Sequence, residues 1–200
     1  MLLLSGVLLP GRAYAQQAEF DSFRKAASYQ SVLYRGHAPR SYSSVLYNGT
    51  YFWQTTEFLP GSVTFNGKHY TNVLLNIDAF AQELLVKSAP GAPAVVLNRS
   101  KVTELEIDGR QFVNLELAGQ EGALPGFYCV ACGNPLIYQR IDKYYASSTD
   151  NVNGQAIGYE DPNYRTDVLN YFNMYQRFYV VKDGRLKKIG KRKAFKLMAK

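Results

Sequence analysis

Gly61-Ser62-Val63-Thr64-Phe65-Asn66-Gly67-Lys68-His69-Tyr70-Thr71-Asn72-Val73-Leu74-Leu75 is the stretch that decides the fold class. Apolar and polar residues alternate on either side of Asn66-Gly67, and a period of two marks a half-buried strand. Asn-Gly accepts the positive φ angles that a two-residue hairpin turn requires. The stretch therefore predicts a hairpin, Gly61–Phe65 paired with His69–Ile77.

The same signature recurs in both directions. Ser44–Tyr47 and Tyr51–Thr55 flank Asn48-Gly49; Val102–Ile107 and Gln111–Leu117 flank Asp108-Gly109. Phe127–Cys132 and Leu136–Tyr144 flank Gly133-Asn134, and Phe178–Val181 and Leu186–Ile189 flank Asp183-Gly184. Leu84–Lys87 and Ala94–Leu97 read as further strands. Five Gly-containing turns between alternating segments predict a mainly β fold, an antiparallel hairpin meander closed as a barrel or folded as a sandwich. The 16 tyrosines and 11 phenylalanines agree, because an aromatic ring suits a half-buried pleated surface.

Three regions break the rhythm. Phe20, Phe23, Ala26 and Ala27 recur at helical spacing, predicting a short N-terminal helix over 18–29. Lys191–Lys200 reads as a C-terminal basic helix with Ala194, Phe195, Met198 and Ala199 on one face. Residues 146–170 are rich in Asn, Asp, Gly and Tyr and are expected to form a long loop, the kind of segment that often carries function.

Leu2-Leu3-Leu4-Ser5-Gly6-Val7-Leu8-Leu9 has the length of a signal-peptide core, and Ala13-Tyr14-Ala15 is a small-x-small cleavage site. Residues 1–15 are thus expected to be a signal peptide, and 16–200 a single β-rich domain, periplasmic or extracellular. A bilayer span takes roughly 20 apolar residues, so an integral helix is not expected.

The net charge of +7 is unevenly placed. Residues 182–200 hold nine Lys/Arg and one acid, so residues 1–181 sum to −1. The basicity belongs to the tail, which argues against a nucleic-acid-tracking domain surface. Lys187, Lys188, Lys191, Arg192 and Lys193 form a basic surface. It reads either as the solvated face of a docked helix or as a peripheral contact with an anionic membrane.

Gly61 to Leu75, together with Glu83-Leu84-Leu85-Val86-Lys87, Asp108-Gly109-Arg110-Gln111-Phe112-Val113, Gly126-Phe127-Tyr128 and the ending Phe178 to Arg185, resembles a group of exported β-domain proteins of Bacteroidetes-type bacteria. The resemblance covers roughly residues 50–200. It implies an exported β-rich module and carries no catalytic residues. Cys129, Cys132 and the Asn/Tyr-rich loop depart from that group's pattern.

No motif for catalysis, a metal or a cofactor stands out. Cys129-Val130-Ala131-Cys132 has redox spacing but lies on a strand, where positions i and i+3 face opposite sides. Small core residues, a structural disulfide, and redox or metal chemistry all remain open for the pair. His37 and His69 read as surface residues, and Glu104 and Glu106 as the polar half of a strand. Thr149–Glu160 places Asn151, Asn153, Gly154 and Glu160 near the spacing of a calcium loop but lacks its leading Asp. The reading is a non-enzymatic envelope module that binds a protein or glycan through Tyr145, Tyr159, Tyr164 and Tyr171; these tyrosines would otherwise pin the long loop to the sheet. The alternative is an envelope hydrolase with a non-sequential site.

Overall fold

The computed structural model describes residues 32–42, 49–133, 136–148 and 169–199, with 146–148 and 169–171 placed as strand positions alone. The expected signal segment, the helix over 18–29, the calcium-like stretch and most of the 146–170 loop lie outside the described residues.

Ten strands form one antiparallel sheet: β1 (Leu59–Phe65), β2 (Lys68–Asp78), β3 (Glu83–Lys87), β4 (Val95–Leu97), β5 (Val102–Ile107), β6 (Arg110–Val113), β7 (Tyr128–Gly133), β8 (Leu136–Ser148), β9 (Leu169–Lys182) and β10 (Arg185–Ile189). A helix, α1 (Lys191–Met198), follows β10. The strand order is β10-β9-β8-β7-β6-β5-β1-β2-β3-β4. The chain thus makes two meanders, β1–β4 and β5–β10, joined side by side where β1 pairs with β5.

That join forces curvature. In a flat sheet β4 and β5 would be about 19 Å apart, four strand spacings. The connection is residues 98–101, mostly a 3₁₀ turn over Arg99–Lys101, and reaches only about 13 Å. The first meander must therefore curl to bring β4 back toward β5. The sheet does not close, however: β4 and β10 are its ends, so of the two expected forms, barrel or sandwich, a closed barrel is not what the described strands make. Gly61 sits at the join, where an added Cβ would lie 2.0 Å from the Glu106 carbonyl oxygen.

The principal core lies inside the curl. Val63, Leu75, Leu84, Val86 and Val102 are fully buried there with Trp53, Phe65 and Phe112. Burial of each aliphatic chain contributes about 1.5–3 kcal/mol. On the β8–β10 half the two sheet faces are covered separately. Ile137, Phe178 and Ile189 pack under Ala194, Leu197 and Met198 of α1. On the opposite face, Tyr128, Tyr138, Tyr179 and Leu186 pack with Leu115 and Ala123 of the β6–β7 connection.

Three expected turns form as read: Asn66-Gly67, Asp108-Gly109 and Asp183-Gly184 each hold two consecutive positive φ values. Other boundaries differ, each for a local reason. Tyr51–Thr55 is no hairpin arm. Phe52 makes a single bridge to Asp78, and Trp53 N–H donates to Ile77 O at 2.9 Å. The segment occupies the end of β2, beyond the last β1 partner at Leu75; Ser44–Tyr47 lies outside the described residues. The strand expected over Gln111–Leu117 stops at Val113, because Asn114 turns inward. Its Nδ2 donates to Arg99 O and Val102 O, both at 3.1 Å. β7 ends at Gly133, paired with Leu136, so Gly133 belongs to the strand rather than to the turn. The strands flanking the long loop are longer than expected: β8 continues to Ser148 and β9 begins at Leu169, shortening the expected loop from both ends.

Candidate functional site

β8 outruns its neighbour. Its pairing with β7 covers Leu136 to Gln139, whereas its pairing with β9 continues to Ser148↔Leu169. Among the described residues, β8 and β9 therefore run on from Ile141 as a two-stranded ribbon. A two-stranded ribbon has little stability of its own, so something must hold its root. Lys143 N–H donates to Ala79 O at 2.9 Å. Buried Gln82 donates through Nε2 to Ala79 O and Ile141 O, each at 2.9 Å.

Cross-strand partners share a face, so the alternation sorts the ribbon's side chains. On one face, Lys143 is opposite Met174 and Tyr145 is opposite Phe172. Phe172 is buried at the centre of a ring cluster, with Tyr42, Tyr51, Phe80 and Tyr145 at centroid distances of 5.4–5.9 Å. Tyr42 donates to Asp78 Oδ2 at 2.6 Å. Burial, and then this bond to a carboxylate, holds its hydroxyl pKa far above the ordinary value. Burial lowers the Lys143 ammonium pKa. Tyr145 and Phe80 are nonetheless 41% and 40% exposed, and Met174 is 52% exposed.

The other face carries Tyr144 stacked on Tyr175, centroids 4.7 Å apart and planes within 19°. Tyr175 is 53% exposed. Beneath the pair lies an ionic row. Asp142 accepts from Arg140 Nε at 2.8 Å and from Arg177 Nη1 at 2.9 Å. Arg140 is buried, and its Nη1 also donates to Leu124 O at 3.1 Å and Pro125 O at 2.8 Å. Arg140 thereby fastens the β6–β7 connection to the sheet. Gly126 lets the connection pass, since a Cβ there would stand 2.3 Å from Gln82 Oε1.

Of the tyrosines expected to bind, Tyr145 lies in this surface. Tyr171 pairs with Ala146 on the ribbon, one position before Phe172. Tyr159 and Tyr164 lie outside the described residues. Sequence reasoning missed Tyr42, Phe80, Phe172 and Met174. The available signal was the alternation in Tyr171-Phe172-Asn173-Met174-Tyr175, which continues the strand into what read as loop.

The basic residues are divided by the fold. Lys187 and Lys188 are on β10 and point to opposite faces, paired with Val180 and Tyr179. Lys191, Arg192 and Lys193 are exposed on α1, and Lys191 Nζ lies 5.8 Å over the Phe195 ring. His69 and Glu104 meet only through Thr64, whose Oγ1 is 3.1 Å from His69 Nδ1 and donates to Glu104 Oε1 at 3.2 Å. His37 is elsewhere, bridging Val96 on β4. Among the described residues no group of three His, Cys, Asp or Glu is placed to hold a metal. None of the described helices is long and apolar enough to cross a membrane.

The site is therefore an aromatic surface on a projecting ribbon, with amides and an ion-pair row interleaved. No family model, curated protein or solved structure matches the chain, which leaves this surface's own geometry to indicate its role.

Proposed function

We propose that the protein is an exported, non-enzymatic envelope module that binds a glycan through the β8–β9 ribbon and the Tyr/Asn-rich segment it carries. The observation that supports this reading is the exposed aromatic set on the ribbon. Flat rings such as the Tyr144–Tyr175 stack offer apolar faces to a sugar ring at little ordering cost. Asn173 and Gln176 are exposed on the same ribbon, and Arg177 is half-buried there; they supply hydrogen bonds to hydroxyls. The export part of the reading rests on the apolar run at 2–9, the Ala13-Tyr14-Ala15 site and the resemblance described above.

The test is calorimetric titration of the full chain with a panel of soluble bacterial surface polysaccharides. Tyr175→Ala removes a half-exposed ring and should weaken binding roughly tenfold, the size of one interface anchor. Undiminished binding by the triple variant Tyr144→Ala/Tyr145→Ala/Tyr175→Ala would remove the ribbon from the site. A stoichiometric complex with an envelope protein and no glycan binding would make this a protein interface.

A second reading is favoured by α1. Ala194, Leu197 and Met198 are packed against the sheet, while Lys191, Arg192, Lys193 and Lys196 are exposed. Peripheral contact with an anionic membrane would then be electrostatic, without insertion of an apolar helix face.

A further inference from the structure

We propose that Cys129 and Cys132 form a reversible dithiol–disulfide site created by a β-bulge at Ala131. Strand periodicity alone places i and i+3 on opposite faces. β7 breaks that parity: Cys129 pairs with Gln139 and Val130 with Tyr138, but Cys132 pairs with Ile137. One extra residue is thus accommodated between Val130 and Cys132, and both cysteines stand opposite same-face positions of β8. Packing agrees independently. Val130 lies with Tyr128 and Tyr138 on one face, whereas Ala131 and Cys132 lie with Ile137 and Phe178 on the other.

Same-face neighbours along a strand are about 6.7 Å apart, at the outer limit of the Cα range that a disulfide spans, and their Cβ atoms must close to about 4 Å, so the bulge must tighten as the bond forms. Both residues are thiols in this structure. Cys132 is half-buried, while Cys129 is buried at the edge of a cleft of about 400 Å³ lined also by Gln139, Phe178, Phe195 and Met198. The roles follow from that access. The Cys132 thiolate attacks one sulfur of a small disulfide oxidant such as oxidised glutathione, and the first glutathione leaves as a thiol. Cys129 then loses its proton and attacks Cys132 Sγ, and the second glutathione leaves. Two protein thiols become one disulfide, and one oxidant disulfide becomes two thiols. Burial raises the Cys129 pKa, so closure is the slow step and accelerates as pH rises.

The test is to incubate the full chain with excess oxidised glutathione, quench in acid, unfold, and label with a maleimide for intact-mass analysis. Labelling should fall from two sites to none, with no glutathione retained and no dimer on a non-reducing gel; reduced glutathione should restore both. Cys129→Ser should instead stop at a glutathione adduct on Cys132. A persistent adduct on the unmodified chain, an intermolecular dimer, or two thiols that survive the oxidant would overturn the site.

Discussion

Arg140→Met tests how the β6–β7 connection is held on the sheet. The Arg140 side chain is 6% exposed and bonded to Asp142, to Leu124 O and to Pro125 O. Its guanidinium also lies 5.3 Å over the Tyr128 ring. Removing one partner of a buried ion pair costs about 3–5 kcal/mol. Methionine keeps the stem's volume, Asp142 retains Arg177, and Leu124 O still accepts from the Tyr128 hydroxyl at 3.2 Å. Pro125 O is then the one acceptor in this set left without a side-chain donor. The loss should therefore fall at the low end, about 3 kcal/mol. At roughly 2–4 °C per kcal/mol for a chain of this length, Tm should drop by roughly 6–12 °C.

The assay is urea unfolding, reading the midpoint at constant m so that the shift reports stability alone. The control is built into the fold. Arg185 bonds Glu121 at the same 2.8 Å, but both side chains are 65% exposed. Solvent screening reduces such a pair to about 0–1 kcal/mol, so Arg185→Met should barely move the midpoint. If both variants lose less than about 1 kcal/mol, or both lose equally, burial is not what gives Arg140 its weight.

Gly126→Ala should destabilise by about 2–4 kcal/mol, because its φ of +134° and the 2.3 Å approach to Gln82 Oε1 both reject a Cβ; Gly67→Ala, with nothing within 4 Å, should cost about 1 kcal/mol by the same unfolding assay. Tyr42, Tyr51, Tyr138 and Tyr179 all have pKa values raised mainly by burial, so the fold favours their neutral forms. The corresponding stability is complete below the unfolded tyrosine value of about 10 and is lost as pH rises above it. Tyr42→Phe should flatten part of that alkaline loss in a pH series of thermal melts, and an unchanged slope would refute the assignment. Lys191→Glu/Lys193→Glu should abolish binding to phosphatidylserine vesicles at low salt while leaving neutral vesicles unbound throughout. Binding unaffected by the reversal, or by raising salt to physiological strength, would exclude an electrostatic tail contact.

Three hairpins were legible in their local turn chemistry. Asn66-Gly67, Asp108-Gly109 and Asp183-Gly184 carry their positive φ angles in their own composition, and α1 follows from the spacing around Ala194. What was not legible depended on distant partners. Nothing near Asn114 shows that its amide will take two carbonyls from Arg99 and Val102, fifteen and twelve residues earlier. The junction of β1 with β5 is set by curl, and the bulge at Ala131 is visible only against β8. Tyr145 stands out as an aromatic at the edge of the long loop, and its ring meets Phe172 across the ribbon. Tyr42 and Phe80 do not stand out, because they reach Phe172 from segments remote in sequence.

The sheet's two ends and its ribbon are treated differently, and the difference bears on function. An unpaired edge invites association with other strands. At β4 the outer edge is met by His37, whose O accepts from Val96 N–H at 2.8 Å. At β10, Leu186 N–H donates to Glu121 O at 3.0 Å and Gln120 Nε2 donates to Gly184 O at 2.6 Å. Both ends of the sheet are thus partly covered by crossing chain. The ribbon instead projects past β7 with Tyr145, Met174 and Tyr175 open to solvent. Its root is held by Gln82, by Lys143 and by the five-ring cluster of Phe172, Tyr42, Tyr51, Phe80 and Tyr145. Folding alone gains little from exposing those side chains, and among the described residues no β8 side chain beyond Ile141 belongs to the core inside the curl. A root fastened this firmly beneath an exposed aromatic surface is the arrangement expected of a platform that presents the surface to a partner in a fixed orientation, with the ordering cost met by the fold before binding.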